Sequence, residues 1–144
     1  MNDLFMQRMK SYLKDEFREY EASLSLPAFK GIRINTSKID IDTFLKLQII
    51  DTKPSKICKE AFYIDASTSG LGNHPAHLSG LFYMQEPSAA SAVEVLDVQA
   101  NDYVLDMCSA PGGKTSHMAA WMNNTGTIYA CDIHQHKIKL MEKC

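Results

Sequence analysis

The sequence predicts an α/β protein: the opening of a parallel sheet with its crossover helix, preceded by a small α+β module. Three observations predict it. The stretch Val104–Thr115, V-L-D-M-C-S-A-P-G-G-K-T, passes from an apolar β-rich run into a Gly-rich turn and then a helix over Gly113–Trp121, and Thr127–Asp132 follows as a second strand ending in an acid. The first sixty-odd residues alternate helix, strand, helix, strand. Between the two parts lies Ala66–Gly80, rich in Ser, Gly and Pro, which reads as a linker. The boundaries so drawn are residues 1–65 for the N-terminal module, 66–82 for the linker and 83–144 for the second module.

Taken in order, Leu4–Glu21 has Phe5, Met9, Leu13, Phe17 and Tyr20 at helical spacing, with Asp3 as a candidate cap, and predicts one amphipathic helix whose stripe faces a core. Ile32-Arg33-Ile34-Asn35 alternates as a half-buried strand, with Arg33 and Asn35 sharing the opposite face. Asp40 is placed to cap a helix bearing Ile41, Phe44, Leu45 and Gln48. Ala61–Ile64 reads as a strand. In the linker, His74-Pro75-Ala76-His77 has the spacing of a metal-binding pair but no third ligand nearby, and Pro75 argues against a regular helix across it, so no metal site is assigned. Pro87 suits the first turn of a helix over Glu86–Leu96, in which Ser88, Ala89, Ala90 and Ser91 are small enough for close packing. Strands near 103–107 and 127–131 should lie adjacent and parallel, and Ile133–Cys144 should begin another helix.

Composition sets limits. The 144 residues, 45% hydrophobic and 22% charged, suit one ordinary globular domain. No apolar run is long enough to span a bilayer and no signal-peptide pattern opens the chain, so a cytoplasmic location without membrane partners is expected. Cys58, Cys108, Cys131 and Cys144 are scattered and form no Cys-x-x-Cys pair, which indicates reduced thiols. The net charge is −2, with residues 1–60 at +2 and residues 61–144 at −4. That balance gives no support to a nucleic-acid partner.

The Gly-rich turn admits competing readings. A phosphate loop, Gly-x-x-x-x-Gly-Lys-Thr, would need Gly where Cys108 stands, and the dinucleotide fingerprint Gly-x-Gly-x-x-Gly is absent. An ATP-binding protein is therefore a disfavoured alternative. The run Asp106-Met107-Cys108-Ser109-Ala110-Pro111-Gly112-Gly113-Lys114-Thr115 instead resembles, over ten positions, the cofactor loop of the RNA cytosine-5 methyltransferases. Tyr83-Met84-Gln85-Glu86-Pro87-Ser88-Ala89 upstream is similar to the segment preceding that loop in the RsmF-like bacterial 16S ribosomal RNA branch. Arg33, Asn35 and Thr36 match an Arg-x-Asn-Thr segment of the same branch.

The resemblance implies the start of a Rossmann-like class I methyltransferase sheet and S-adenosyl-L-methionine as cofactor. It implies Asp106, Cys108, Ser109, Ala110, Pro111, Gly112, Gly113 and Lys114 as the cofactor loop, with Asp106 near the cofactor's amino group and Cys108 lining its methionine end. Asp132, 26 residues after Asp106, suits the ribose hydroxyls, a role that can coexist with capping the following helix. Lys114 opposes the helix dipole, which favours a ligand role over a solvated one. Arg33 and Asn35 are candidate RNA contacts, with a solvated strand edge as the alternative. The implied partner is RNA, ribosomal RNA or the small ribosomal subunit. In the implied chemistry a cysteine thiolate adds to C6 of a flipped-out cytosine so that C5 takes the methyl group.

The cysteines of that chemistry fall beyond Cys144 in the family pattern, so no catalytic residue is assigned within the chain. The resemblance covers only the N-terminal part of the family's length. The expectation is a fragment, inactive alone, that needs the missing C-terminal half of the enzyme. The alternative in a different class is an RNA- or ribosome-binding module with no activity of its own.

Overall fold

The computed structural model describes residues 2–141. The chain opens with α1 (Asp3–Leu13), which a turn of 3-10 helix over Lys14–Glu16 separates from α2 (Phe17–Ser23). The single helix expected here is broken because Lys14 takes a positive φ of 48°. The cap is Asn2, whose side chain accepts from Leu4 and Phe5 N–H, rather than Asp3. The apolar stripe is not a core face either: only Phe17 is buried, while Leu4, Phe5 and Tyr12 are exposed. Periodicity names the apolar side of a helix but not what that side meets.

A four-stranded antiparallel sheet follows, in the order β2 (Thr52–Pro54), β3 (Ala61–Ile64), β1 (Lys30–Ile34), β4 (Phe82–Met84). Between β1 and β2 lies α3 (Ile41–Lys46), capped as expected by Asp40, whose Oδ1 accepts from Thr43 N–H at 2.8 Å. Strand β2 was not foreseen. It is a short edge strand closed by Pro54, which has no N–H to offer the ladder. Ile32 and Ile34 of β1 point into the first core with Phe44, Phe62, Ile64, Leu71, Ala76 and Phe82.

The stretch 66–82 is folded rather than an open linker. It holds a 3-10 turn at Leu71–Asn73 and a short helix, α4 (Pro75–Leu78), and it buries Leu71 and Ala76 in the first core. The helix runs through the His-Pro-x-His pair because Pro75 occupies its first position, where no N–H is needed, and His74 caps it by accepting from Ala76 N–H. Tyr83, read as the start of the second module, lies in β4 and pairs with Arg33 of β1.

The second part begins with α5 (Pro87–Leu96), capped by Glu86. Then come β5 (Tyr103–Asp106), α6 (Gly113–Trp121), β6 (Thr127–Ala130) and α7 (Gln135–Met141). Strands β5 and β6 pair in parallel, from Tyr103 opposite Thr127 to Asp106 opposite Ala130. Val93, Val98, Met118 and Met122 form the second core, with Val104, Trp121 and Ile128 packed on it. The end of the expected last helix, beyond Met141, lies outside the described residues.

Helix α5 joins the two parts. It lies on the face of the first sheet opposite the first core, where Gly31, Ala61 and Ala90 are small. A Cβ on Gly31 would stand 2.5 Å from Pro87 Cδ, so only glycine permits this approach. Strand β1 is therefore covered on both faces, and Ile32, Arg33 and Ile34 are all buried. By contrast Tyr103, Leu105 and Tyr129 remain exposed on the two-stranded sheet. No helix of the described residues is long and apolar enough to cross a membrane.

Candidate functional site

The site lies at the carboxyl ends of β5 and β6, where ligands gather in open α/β sheets. Asp106 ends β5 and braces the loop that follows it. One carboxylate oxygen accepts from Cys108 N–H at 3.2 Å, and the other from the Thr115 hydroxyl at 2.7 Å. The carboxylate thus ties the turn to the first turn of α6. Ser109 is buried and anchors the loop to β6: its N–H and hydroxyl both donate to Cys131 O, at 3.0 and 2.9 Å. Cys108 is exposed beside it.

The peptide between Ala110 and Pro111 is cis, and Gly112, at φ 106°, caps α6 in a region that side chains other than glycine's rarely enter. Gly112 N–H donates to Ser109 O at 2.7 Å, and Ser116 N–H donates to Gly112 O at 2.8 Å. The N–H groups of Gly113, Lys114 and Thr115 come before Ser116 N–H, the first intrahelical donor, so they form the donor cluster of a helix start. Lys114 is exposed.

Asp132 stands just past β6. Its Oδ2 accepts from Ala110 N–H at 3.1 Å, and its Oδ1 accepts from His134 N–H at 2.9 Å, with the His134 ring Nδ1 at 3.0 Å. These bonds, led by those from His134, hold its carboxyl below the usual carboxylate range. Asp132 does not cap α7, which begins three residues later at Gln135. It links the end of β6 to the loop after β5 instead. The structure thus gathers Asp106, Cys108, Ser109, Ala110, Pro111, Gly112, Gly113, Lys114 and Asp132 along one rim.

Arg33 corrects the sequence reading. It presents no solvated edge and is 1% exposed. Its Nε donates to Gln85 Oε1 at 2.9 Å, and its Nη2 donates to Gly113 O at 3.2 Å and Ser116 Oγ at 2.8 Å. Its guanidinium lies 5.9 Å from the centre of the Tyr83 ring. Burial lowers its pKa to about 10, which still leaves it charged at neutral pH. Tyr83 adds a second tie, donating from its hydroxyl to Pro111 O at 2.9 Å. Asn35 is turned toward its own surroundings, donating to Gly80 O and accepting from Ser37 N–H.

A cleft of about 500 Å³ runs beside the loop, lined by Asn35, Lys38, His77, Tyr83, Pro111 and Ser116 among others. Sequence reasoning gave no role to Tyr83, Gln85 and Ser116. The signal was present in part, since Tyr83 and Gln85 belong to the segment that resembles the region upstream of the cofactor loop. What it lacked was the pairing of that segment with β1.

A buried carboxylate also joins the two parts. Glu60, just before β3, accepts from Trp121 Nε1 at 3.2 Å and faces Cys58 and His117. Desolvation works against its ionised form, but bonds from His117 and Cys58 outweigh it and bring the pKa down to about 2. Burial, then Glu60, pushes the Cys58 thiol up to about 12, so this cysteine stays protonated.

The family described as the N-terminal domain of 16S rRNA methyltransferase RsmF matches residues 1–87, and that described as 16S rRNA methyltransferase RsmB/F matches residues 93–144. The ribosomal RNA small subunit methyltransferase F of Erwinia tasmaniensis is 39% identical over 95% of this chain, and that of Vibrio campbellii 35% identical over 99%. The chain spans 31% and 32% of their respective lengths. A methyltransferase homologue from Pyrococcus horikoshii superposes with a TM-score of 0.86 at 29% identity, over 99% of this chain and 48% of that one. NSun6 from the same organism, solved with SFG, superposes at 0.85 with 18% identity over 99% of this chain and 61% of that one, a likeness of fold. With a first sheet and a loop-bearing parallel pair that both find their counterparts there, the chain belongs to the RsmF family of 16S rRNA methyltransferases and carries its N-terminal domain together with the opening of its RsmB/F region.

Proposed function

We propose that the chain is the N-terminal part of an S-adenosylmethionine-dependent RNA (cytosine-5) methyltransferase acting on ribosomal RNA in the cytoplasm. The observation that carries this reading is the rim formed by Asp106, Gly112 and Asp132. One carboxylate ends β5 and the other stands two residues past β6, and between them a glycine at positive φ opens a helix start. This arrangement fits the cofactor: the loop backbone approaches closely, the helix start suits the cofactor's carboxylate, and Asp132 suits free ribose hydroxyls and disfavours a 2′-phosphate. When bound, the cofactor supplies the methyl group. Ser109 and Asp106 hold the loop in shape, and Arg33 and Tyr83 hold the loop and helix against the first sheet.

Among the described residues, none suits the attack on C6 of cytosine. Cys58 is buried with its thiol held protonated, Cys108 sits in the cofactor loop, and Cys131 bonds through its backbone into that loop. On this reading the reacting cysteines come from the further length that the relatives possess, as does a cover for Leu105 and Tyr129. Isothermal titration of S-adenosylhomocysteine and of ATP into a chain extended to the relatives' length tests the cofactor. Saturable binding of S-adenosylhomocysteine, lost with Asp132→Ala, supports the reading, whereas preference for ATP overturns it.

A further inference from the structure

Cys58, Glu60 and His117 converge behind the cofactor helix, on the side away from the loop. Cys58 Sγ lies 3.2 Å from Glu60 Oε2 and 3.9 Å from His117 Nε2, and Nε2 lies 3.8 Å from Oε2. All three residues are buried. They come from two distant parts of the chain. The turn closed by Ala61 N–H on Cys58 O presents Cys58 and Glu60, and α6 presents His117.

We propose that these three side chains form a zinc site that joins the N-terminal domain to α6. The proposal is independent of the methyl-transfer reading. The geometry is close to what the ion requires. Zn–S of about 2.3 Å and Zn–N and Zn–O of about 2.0–2.1 Å at tetrahedral angles place ligand atoms roughly 3.3–3.6 Å apart. The triangle in the structure needs shifts of only about half an ångström or less to meet those lengths. Thiolate, imidazole and carboxylate together are a donor set for zinc and not for magnesium or calcium, which favour oxygen alone.

The charges are compatible as well. A thiolate and the Glu60 carboxylate match the two charges of the ion, and the Arg33 guanidinium interacts with both groups. Lys59 touches Glu60 Oε1 at 3.6 Å, but its side chain is 76% exposed and stays in solvent. Trp121 binds that same oxygen, which leaves Oε2 facing the site. His117 Nδ1 has no hydrogen-bond partner, so binding through Nε2 requires the ring proton to move from Nε2 to Nδ1. On binding, the S–H bond of Cys58 breaks, the S–Zn bond forms and the proton leaves to solvent.

The experiment is titration of the purified, chelator-treated and reduced chain with Zn²⁺ and, separately, Co²⁺. One equivalent should bind. Co²⁺ should give a thiolate-to-metal charge-transfer band in the near ultraviolet. Zinc should protect Cys58 from alkylation, read by peptide mass, while Cys108 and Cys131 stay reactive. Replacing Cys108 and Cys131 by Ser should leave the band intact, and Cys58→Ala should abolish it. Absence of stoichiometric uptake, a band that survives Cys58→Ala, or protection of Cys108 or Cys131 instead of Cys58 would each overturn the site. Should Cys58→Ala fail to fold, the Co²⁺ band of a chain with Cys108, Cys131 and Cys144 replaced by Ser decides, and its absence there overturns the site.

Discussion

Arg33, on the central strand of the first sheet, donates from Nη2 to the hydroxyl of Ser116, 83 residues further along, at 2.8 Å. Ser116 sits in the first turn of α6, so a side chain of the N-terminal domain grips the helix that follows the Gly-rich loop. Gln85 and Gly113 O share the same guanidinium. Shape in the loop therefore depends on a residue that the loop's own sequence does not contain.

Arg33→Ala should destabilise the chain by about 2–4 kcal/mol, because it leaves a cavity and strands Gln85 Oε1 without a donor. Urea denaturation followed by circular dichroism measures this. A loss under about 0.5 kcal/mol, the range of ordinary surface substitutions, would restore Arg33 to the surface role that its strand position first suggested.

Much of the loop was legible because its information is local. Pro111, Gly112 and Gly113 make the turn, Asp106 and Asp132 end the strands, and the parallel pairing follows from strand–helix–strand order. The burial of Arg33 was not legible, because alternation in β1 marks one apolar face and is silent on whether a helix covers the other. That cover is α5, and its traces are the small residues Gly31, Ala61 and Ala90. Glu60 and His117 were missed for a related reason: each is unremarkable alone and acquires meaning only when α6 is laid beside the turn before β3.

Gly31→Ala should be markedly destabilising, by about 1–3 kcal/mol as overpacking. The added Cβ would meet Pro87 Cδ at 2.5 Å and the carbonyl oxygens of Gln85 and Phe62 at 2.9 Å. Two of those contacts are backbone, so the strain cannot be relieved by a rotamer change. A melting temperature equal to that of the unsubstituted chain would show that α5 does not lie this close to β1.

Glu60 makes acid stability a readout of the seam between the two parts. Its folded pKa of about 2 lies below the ordinary glutamate value of 4.5. A depressed carboxyl stabilises the fold above the unfolded value, and that contribution is lost as pH falls from about 4.5 through about 2. Thermal unfolding between pH 6 and pH 2 should show the decline, and Glu60→Gln should be less stable at pH 6 and flatter below pH 4.5. Equal slopes in the two proteins would place the acid-sensitive group elsewhere.

Asp132→Ala, in a chain extended to the relatives' length, should weaken cofactor binding by about 1–3 kcal/mol, the cost of losing a charged hydrogen-bond partner. Asp132 also accepts from Ala110 N–H, so part of the effect should come from a loosened loop. Calorimetric titration with S-adenosylhomocysteine measures the change. Unchanged affinity would leave Asp132 with its contacts to Ala110 and His134 as its whole role.

The proposed function gives the chain a methyl-donor loop for ribosomal RNA cytosine-5 methylation and makes none of Cys58, Cys108 and Cys131 the nucleophile. The most direct test is tritiated-methyl transfer from S-adenosylmethionine to unmodified small-subunit ribosomal RNA, followed by nucleoside analysis, with the 144-residue chain and the extended chain in parallel. The account predicts 5-methylcytidine from the extended chain and no incorporation from the shorter one. Incorporation by the 144-residue chain at a comparable rate, or a methylated nucleoside other than 5-methylcytidine from the extended chain, would contradict it.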